Sequence, residues 1–303
     1  MSVHGWIVLD KPLGLGSTQA VAAVKRVLRQ GGHGRAKVGH GGTLDPLATG
    51  VLPIAIGEAT KLAGRMLDAT KAYEFTVRFG SQTDTLDLEG TVIATSDVQP
   101  APGAVAHVVA QRFTGPIEQV PPAYSAVLID GKRAYDRARG GEDVDMPMRS
   151  VMIHRWDSIV EGDNQATLAV TVSKGTYIRS LARDIALALG TVGHVTMLRR
   201  VRAGPFDLSQ AISLDKLDTI AKGASLEHMI LPLEAGLDDI PALDLDPEQA
   251  RAVRQGRVLT GLPQSDGLWL ARSGMVPVAL VALADGAMRV ERGFNLTDVA
   301  ECR

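Results

Sequence analysis

Cysteine is almost missing from this chain: its 303 residues include one, Cys302. A lone thiol excludes an internal disulfide framework and fits a reducing compartment. No Cys/His pairs stand at zinc-site spacing. Long apolar runs are missing too, and nothing approaches the ~20 residues that a membrane-spanning helix needs. The N-terminal residues Met1 to Trp6 lack a basic segment followed by an apolar one, so no secretory signal is evident and a cytoplasmic location is expected. There is no G-x-x-x-x-G-K-[ST] phosphate loop. The run Gly14 to Gln19 starts like G-x-G-x-x-G but ends on Gln19, so the dinucleotide fingerprint fails. Internal repeats and low-complexity tracts are absent as well. Nucleotide and metal enzymes are therefore unsupported. What is present is an ordinary globular composition, 45% hydrophobic and 22% charged, with length enough for one large domain or two.

Net charge is −2, which argues against a uniformly basic nucleic-acid binder, but the charge is unevenly spread. Residues 1–80 carry ten Lys and Arg against five Asp and Glu, and residues 171–204 carry six against one. The segments 81–170 and 205–303 are acidic by six charges each. Two basic blocks far apart in sequence can converge on one surface and attract phosphate. Clustering on solvated faces would give the same counts, so the pattern needs a site that joins the blocks.

The stretch Lys37 to Gly50 concentrates glycine (Gly39, Gly41, Gly42, Gly50), one histidine, His40, and one carboxylate, Asp45. Pro46 steers Asp45 away from helical dihedrals. By itself this is as compatible with a plain Asx-turn loop as with a site. Around it the chain reads as mixed fold. Trp6 to Leu9 is a short strand, and Ser17 is an expected N-cap for a helix carrying Val21, Val24 and Leu28. Val51 to Ile56 is apolar, and Ala59 to Leu67 reads as a short helix. From Lys71 the period changes to two, with Tyr73, Phe75, Val77 and Phe79 on one face of a half-buried antiparallel strand. Gly90 turns the chain toward Thr91 to Ala94, and Val105 to Phe113 is an amphipathic helix.

Residues 117–150 differ in texture, with Pro121 and Pro122, a hairpin-type Asp130-Gly131 turn, a short helix at Ala134 to Arg139 and an acidic tail. They read as a protruding insertion. Paired strands follow at Met152 to Ile159 and Ala166 to Val172. A helix with a buried stripe from Ile178 to Leu189 comes next and ends at Gly190. Arg179 and Arg183 share a face of it. His194 to Arg202 is a strand. The whole is an α+β domain, residues 1–237. Residues 238–303 read as a small separate β-rich domain after an acidic connection.

The run Gly39 to Leu52 closely resembles the catalytic loop of the TruB family of tRNA pseudouridine synthases. Other motifs of that family recur in order. They are Leu9 to Pro12 with Gly14 and Ser17; Gly57 to Lys61; Lys71 to Tyr73; and Gly80 with Thr83 and Asp84. Pro121 to Ser125, Gly131, Lys132 and Tyr135 resemble its RNA-gripping thumb loop, and Ser173 to Arg179 and Leu198 to Arg200 its remaining active-site segments. Gly41 and Gly16 depart from the pattern, standing where the family often has Thr. The resemblance covers about residues 5–205 and implies a pseudouridine synthase-type, mainly antiparallel sheet flanked by helices. Beyond it, the family's habit implies that 238–303 is a PUA-like RNA-binding domain.

The implied reaction is isomerisation of uridine 55 in the tRNA T loop, by a monomer needing no cofactor, metal or membrane. Its partner is the tRNA T arm. Asp45 would be the nucleophile, attacking either C1′ or uracil C6. Because uracil leaves readily and stays in the pocket, one carboxylate suffices where a glycosidase needs two. His40 would fill the place of the flipped base. Tyr73 would stack on the uracil, Arg179 would keep Asp45 ionised and oriented, and Tyr177 and Leu198 would line the pocket. Lys11 would brace the loop. The thumb insertion argues against the guide-RNA-dependent branch of such enzymes, which lacks it.

Overall fold

The apolar N-terminal run forms β1 (Gly5–Lys11), and the computed structural model describes residues 3–223 and 226–296 of the chain, so Cys302 lies outside the described residues. Helix α1 (Ser17–Gln30) follows with Ala20, Val24, Val27 and Leu28 buried at helical spacing. Ser17 is not its N-cap. Gly16 occupies that position in an extended conformation, and Gln19 accepts its N–H at 2.9 Å. The Ser17 hydroxyl faces inward, where it finds both main-chain groups of Leu44. The loop strands β2 (Val38–His40) and β3 (Ala48–Ile56), helix α2 (Ala63–Asp68) and strand β4 (Lys71–Phe79) come next. The turn at Gly90 does not extend β4. It closes a separate ribbon of β5 (Ser81–Thr83) and β6 (Val92–Thr95).

Helix α3 (Ala104–Arg112) leads to edge strand β7 (Gly115–Gln119), so the insertion begins only after Gln119. It holds the ribbon β8 (Leu128–Ile129) and β9 (Lys132–Arg133) and helix α4 (Ala134–Arg139). Asp130 and Gly131, both at positive φ, make the tight turn of that ribbon. Long strands β10 (Arg149–Gly162) and β11 (Gln165–Val172) pair around Asn164. Helix α5 (Ile178–Ala188) and strand β12 (Gly193–Ala203) complete the central layer, followed by β13 (Phe206–Asp207), β14 (Ile212–Ser213) and helix α6 (Leu214–Gly223).

Among the described residues these strands build one ten-stranded sheet, ordered β14-β1-β3-β12-β4-β11-β10-β7, with β2 on β3 and β13 on β12. Pairing is antiparallel except where β12 runs parallel to β3 and β14 parallel to β1. Strand β12 therefore enters the middle of the sheet, between two strands made far earlier. Its register sets Leu198 beside Ala48 on one side and Phe75 on the other. Helix α5 covers one face, with Leu181, Ala182 and Ile185 packed on Phe75, Val77 and Leu168. Helices α1 and α6 pack with Ile7, Leu9, Leu52 and Ile54.

Among the described residues the C-terminal segment forms a second, five-stranded sheet from β15 (Ala242–Asp244), β16 (Leu259–Thr260), β17 (Gly267–Ser273), β18 (Val276–Ala284) and β19 (Ala287–Gly293). Helix α7 (Pro247–Arg254), capped by Asp246, packs on it through Ala250 and Val253. The two sheets share one apolar cluster, in which Leu270, Leu280 and Phe294 meet Trp6, Val51 and Phe206. Trp6 is fully buried there, donates to the Leu233 carbonyl at 3.0 Å and lies 5.3 Å from the Phe206 ring centroid. Trp6→Ala is expected to cost about 3–5 kcal/mol and to loosen both sheets, which a lower urea midpoint by circular dichroism checks.

Candidate active site

Asp45 sits on the loop between β2 and β3, and its neighbours are fastened to buried groups. Ser17 Oγ accepts the Leu44 N–H at 2.8 Å and donates to the Leu44 carbonyl at 2.9 Å. The Pro46 carbonyl takes the Gly14 N–H at 2.8 Å and a Lys11 Nζ bond at 3.2 Å. Lys11, fully buried, also bonds the Pro12 and Leu15 carbonyls, so its three donors all brace main chain. Burial lowers its pKa to about 8, with Asp45 opposing and Arg200 adding to the drop. From below, Arg200 donates to the carbonyls of Gly42, Thr43 and Val51 at 3.1, 3.3 and 2.7 Å.

Two of the loop's glycines make room for protein rather than for a ligand. A Cβ on Gly41 would run into Met66, which is why a threonine does not fit there. One on Gly50, at φ +100°, would collide with the Arg200 carbonyl.

Arg179 projects from the first turn of α5. Its guanidinium, almost wholly buried, gathers four groups. Nε meets Asp45 Oδ2 at 2.9 Å and Nη1 meets Asp87 Oδ2 at 3.4 Å. Nη1 also donates to the Thr85 carbonyl at 2.8 Å, and Nη2 to that of Tyr124 at 2.9 Å. The side chain of Asp45 stays 39% exposed against 6% for Arg179, so the carboxylate faces the open side while the cation stands behind it. Asp87 is itself fixed by the Thr85 hydroxyl at 2.6 Å and the Glu89 N–H at 3.0 Å.

Asp45 opens onto a cleft of about 280 Å³, a volume at the small end of ligand sites. Tyr73, Tyr177, Leu198, Lys71 and Arg200 line it together with Arg179. Tyr177 is set by Gln119, whose amide takes its N–H at 2.8 Å and donates to its carbonyl at 3.1 Å. The Arg149 guanidinium lies 5.5 Å from the Tyr177 ring centroid. Six of the seven residues expected at the site thus converge: Asp45, Tyr73, Arg179, Tyr177 and Leu198 at the cleft, and Lys11 under its loop. His40 stands apart, lining a neighbouring groove that also reaches Asp45. There its Nδ1 accepts the Gly42 N–H at 3.3 Å.

Residues 25–178 match the TruB family pseudouridylate synthase (N terminal domain), and residues 179–238 the tRNA pseudouridylate synthase B C-terminal domain. The chain belongs to the TruB family. The junction between those two segments falls inside α5, so both build one sheet and one site. The chain is 69% identical to the tRNA pseudouridine synthase B of Novosphingobium aromaticivorans, covering 99% of this chain and all of the relative. It is 54% identical to the protein of that name from Zymomonas mobilis, over 97% of each. Among solved structures, a chain of an H/ACA RNP bound to a substrate RNA containing 2′-deoxyuridine superposes with a TM-score of 0.73. That match has 26% identity and covers 97% of this chain and 86% of the other. A Cbf5-Nop10-Gar1 complex gives a TM-score of 0.72 at 28% identity, with 95% and 84% covered.

Sequence reading did not single out Asp87, Gln119, Lys71 or Arg200. Each lies in or beside a recognised TruB motif, and each acts through partners remote in sequence. At Lys71, Gln119 and Arg200 a charged or amide residue within a strand was the available signal, whereas Asp87, in the turn between β5 and β6, offered none. Burial, then the nearby Arg200 charge, lowers the His40 pKa below 6.5. The folded protein therefore keeps His40 neutral where the unfolded chain would protonate it. Its stabilising contribution is full above that value and falls as pH drops through it. Urea midpoints are expected to decline between about pH 7.5 and pH 5, and His40→Gln to flatten part of that slope.

Proposed function

We propose that this TruB-family chain isomerises uridine 55 in the T loop of tRNA to pseudouridine, with Asp45 as nucleophile. The supporting observation is the Asp45–Arg179 pair at the mouth of a base-sized cleft flanked by Tyr73, Tyr177 and Leu198. A uracil in duplex-like stacking cannot reach such a cleft, so the base flips into it. His40, at the edge of the adjoining groove, takes the vacated place. Tyr73 stacks on the ring and assists removal of the C5 proton, while Tyr177 and Leu198 enclose it. Arg179 holds the carboxylate in its aim through the 2.9 Å contact. Asp45 adds to C1′ or to C6, the C1′–N1 bond breaks, the ring turns in place, and C5 bonds to C1′.

In the same reading residues 1–237 form the catalytic unit and residues 238–303 a PUA-like RNA-binding domain, and the enzyme works as a monomer. The segment between β7 and β10 is the thumb that grips the T arm. Tyr124, Arg133, Tyr135 and Arg139 of this segment face the groove beside Asp45, supplying cations and stacking rings to RNA.

Incubation with unmodified tRNA transcript, followed by pseudouridine mapping, is expected to give one product in the T loop with protein alone. Asp45→Asn is expected to reduce the rate by at least about 10³-fold, and product at the normal rate would remove Asp45 from the chemistry. Deleting residues 123–144 is expected to weaken tRNA binding about tenfold or more, which filter binding measures.

A further inference from the structure

Among the described residues, three cations lie buried around the cleft without a carboxylate in ion-pair contact. Lys11, Lys71 and Arg200 are at most 7% exposed. Among the described residues their hydrogen bonds all go to main-chain carbonyls. Lys11 is used up by its three bonds, whereas Lys71 is not. Its Nζ donates to Leu67 O at 2.5 Å and Ala69 O at 2.6 Å, the carbonyls that end α2, and an ammonium has a third N–H. Lys71 and Arg200 both line the cleft that Asp45 opens onto. The nearby carboxylate of Asp68 is committed to Lys174 at 2.9 Å on the surface.

A buried cation lining a cleft is costly unless an anion offsets it. The charged lining of this cleft is three cations, Lys71, Arg179 and Arg200, to one carboxylate, Asp45. Asp45 is already matched by Arg179, so positive potential is left over. Burial, reinforced by Arg200, brings the Lys71 pKa down to about 8, which leaves the ammonium charged at neutral pH.

We propose that Lys71, backed by Arg200, is a catalytic residue that stabilises the negative charge the uracil ring carries during its transfer. This rests on the pseudouridine synthase reading of the site. It holds for either point of attack. If Asp45 adds to C1′, the C1′–N1 electron pair leaves on N1 and spreads over O2 and O4. If Asp45 adds to C6, the C5=C6 pair moves onto C4–O4 as an enolate. In both routes C1′–N1 breaks, C1′–C5 forms, the C5 proton leaves, N1 gains a proton and Asp45 is released as carboxylate. Lys71 exchanges no proton; it donates a hydrogen bond to the charged ring, whose charge exists only after the first step. That is the condition under which a fixed dipole or cation accelerates a reaction rather than merely binding substrate.

The test is single-turnover conversion of a saturating T-arm stem-loop by Lys71→Gln, which loses the charge but keeps a donor for the α2 carbonyls. The rate is expected to fall about 10²–10³-fold, with the RNA Kd changed less than about threefold and much of the loss recovered in Lys71→Arg. A second substrate separates charge stabilisation from mere support of the fold. Fluorine at C5 withdraws electrons, so a ring with 5-fluorouridine at the target position needs less help as an anion. The Lys71→Gln deficit, read as consumption of that nucleotide, is expected to shrink at least about tenfold relative to uridine. A normal rate, a defect confined to Kd, or equal deficits with the two bases would overturn the proposal. Lys71→Met carries the same reading if the Gln variant does not fold. Failure of the unaltered protein to make pseudouridine would instead sink the functional reading on which this rests.

Discussion

The molecule depends on one buried cation reaching one half-exposed carboxylate. Arg179 belongs to the helix that covers the sheet, Asp45 to the loop beyond its opposite flank, and their contact at 2.9 Å ties the two together. The other partners of Arg179, Asp87 and the Thr85 and Tyr124 carbonyls, recruit the β5–β6 segment and the start of the insertion to the same point. Removing Asp45 would leave the buried Arg179 cation short of a partner. The arrangement is therefore held by the cost of its own dismantling, and the carboxylate keeps its aim without any bond to a second acid.

Much of this was legible in the sequence because it is local. The period-two run through Phe75 and Val77, the stripe of α5 and the Asp130-Gly131 turn all declare themselves within a dozen residues. The motif around Asp45 did so through resemblance. What escaped notice acts at a distance. Ser17 reads as an N-cap, yet it is the first residue of α1 and its hydroxyl is taken up by Leu44. Gln119 reads as an ordinary strand amide until Tyr177 docks on it. The glycines near Asp45 suggest open space for a ligand, yet at Gly41 and Gly50 the space is filled by Met66 and Arg200.

The two basic blocks of the charge map do meet, because β12 lies between β3 and β4. Their convergence is partly internal, however. Lys11, Lys71, Arg179 and Arg200 point inward and shape the potential inside the cleft, while Lys25, Arg26, Arg29, Arg35 and Lys37 stay on the surface. Counting charges along a chain does not distinguish the cations that attract an RNA backbone from those that meet a single base.

The position of β12 also governs how the protein can be made. During synthesis β3 and β4 emerge early but have no direct contact as sheet neighbours, since the strand that joins them is residues Gly193–Ala203. Without that strand the facing edges of β3 and β4 have no neighbour between them, and unpaired edges of this kind invite other chains. The parallel β3–β12 pairing is long in sequence separation and correspondingly slow to find. That pairing sets Leu198 beside Ala48, so the lining of the cleft is complete only once β12 is in place. A chain that stops short of β12 would thus lack the seam of its fold as well as its chemistry.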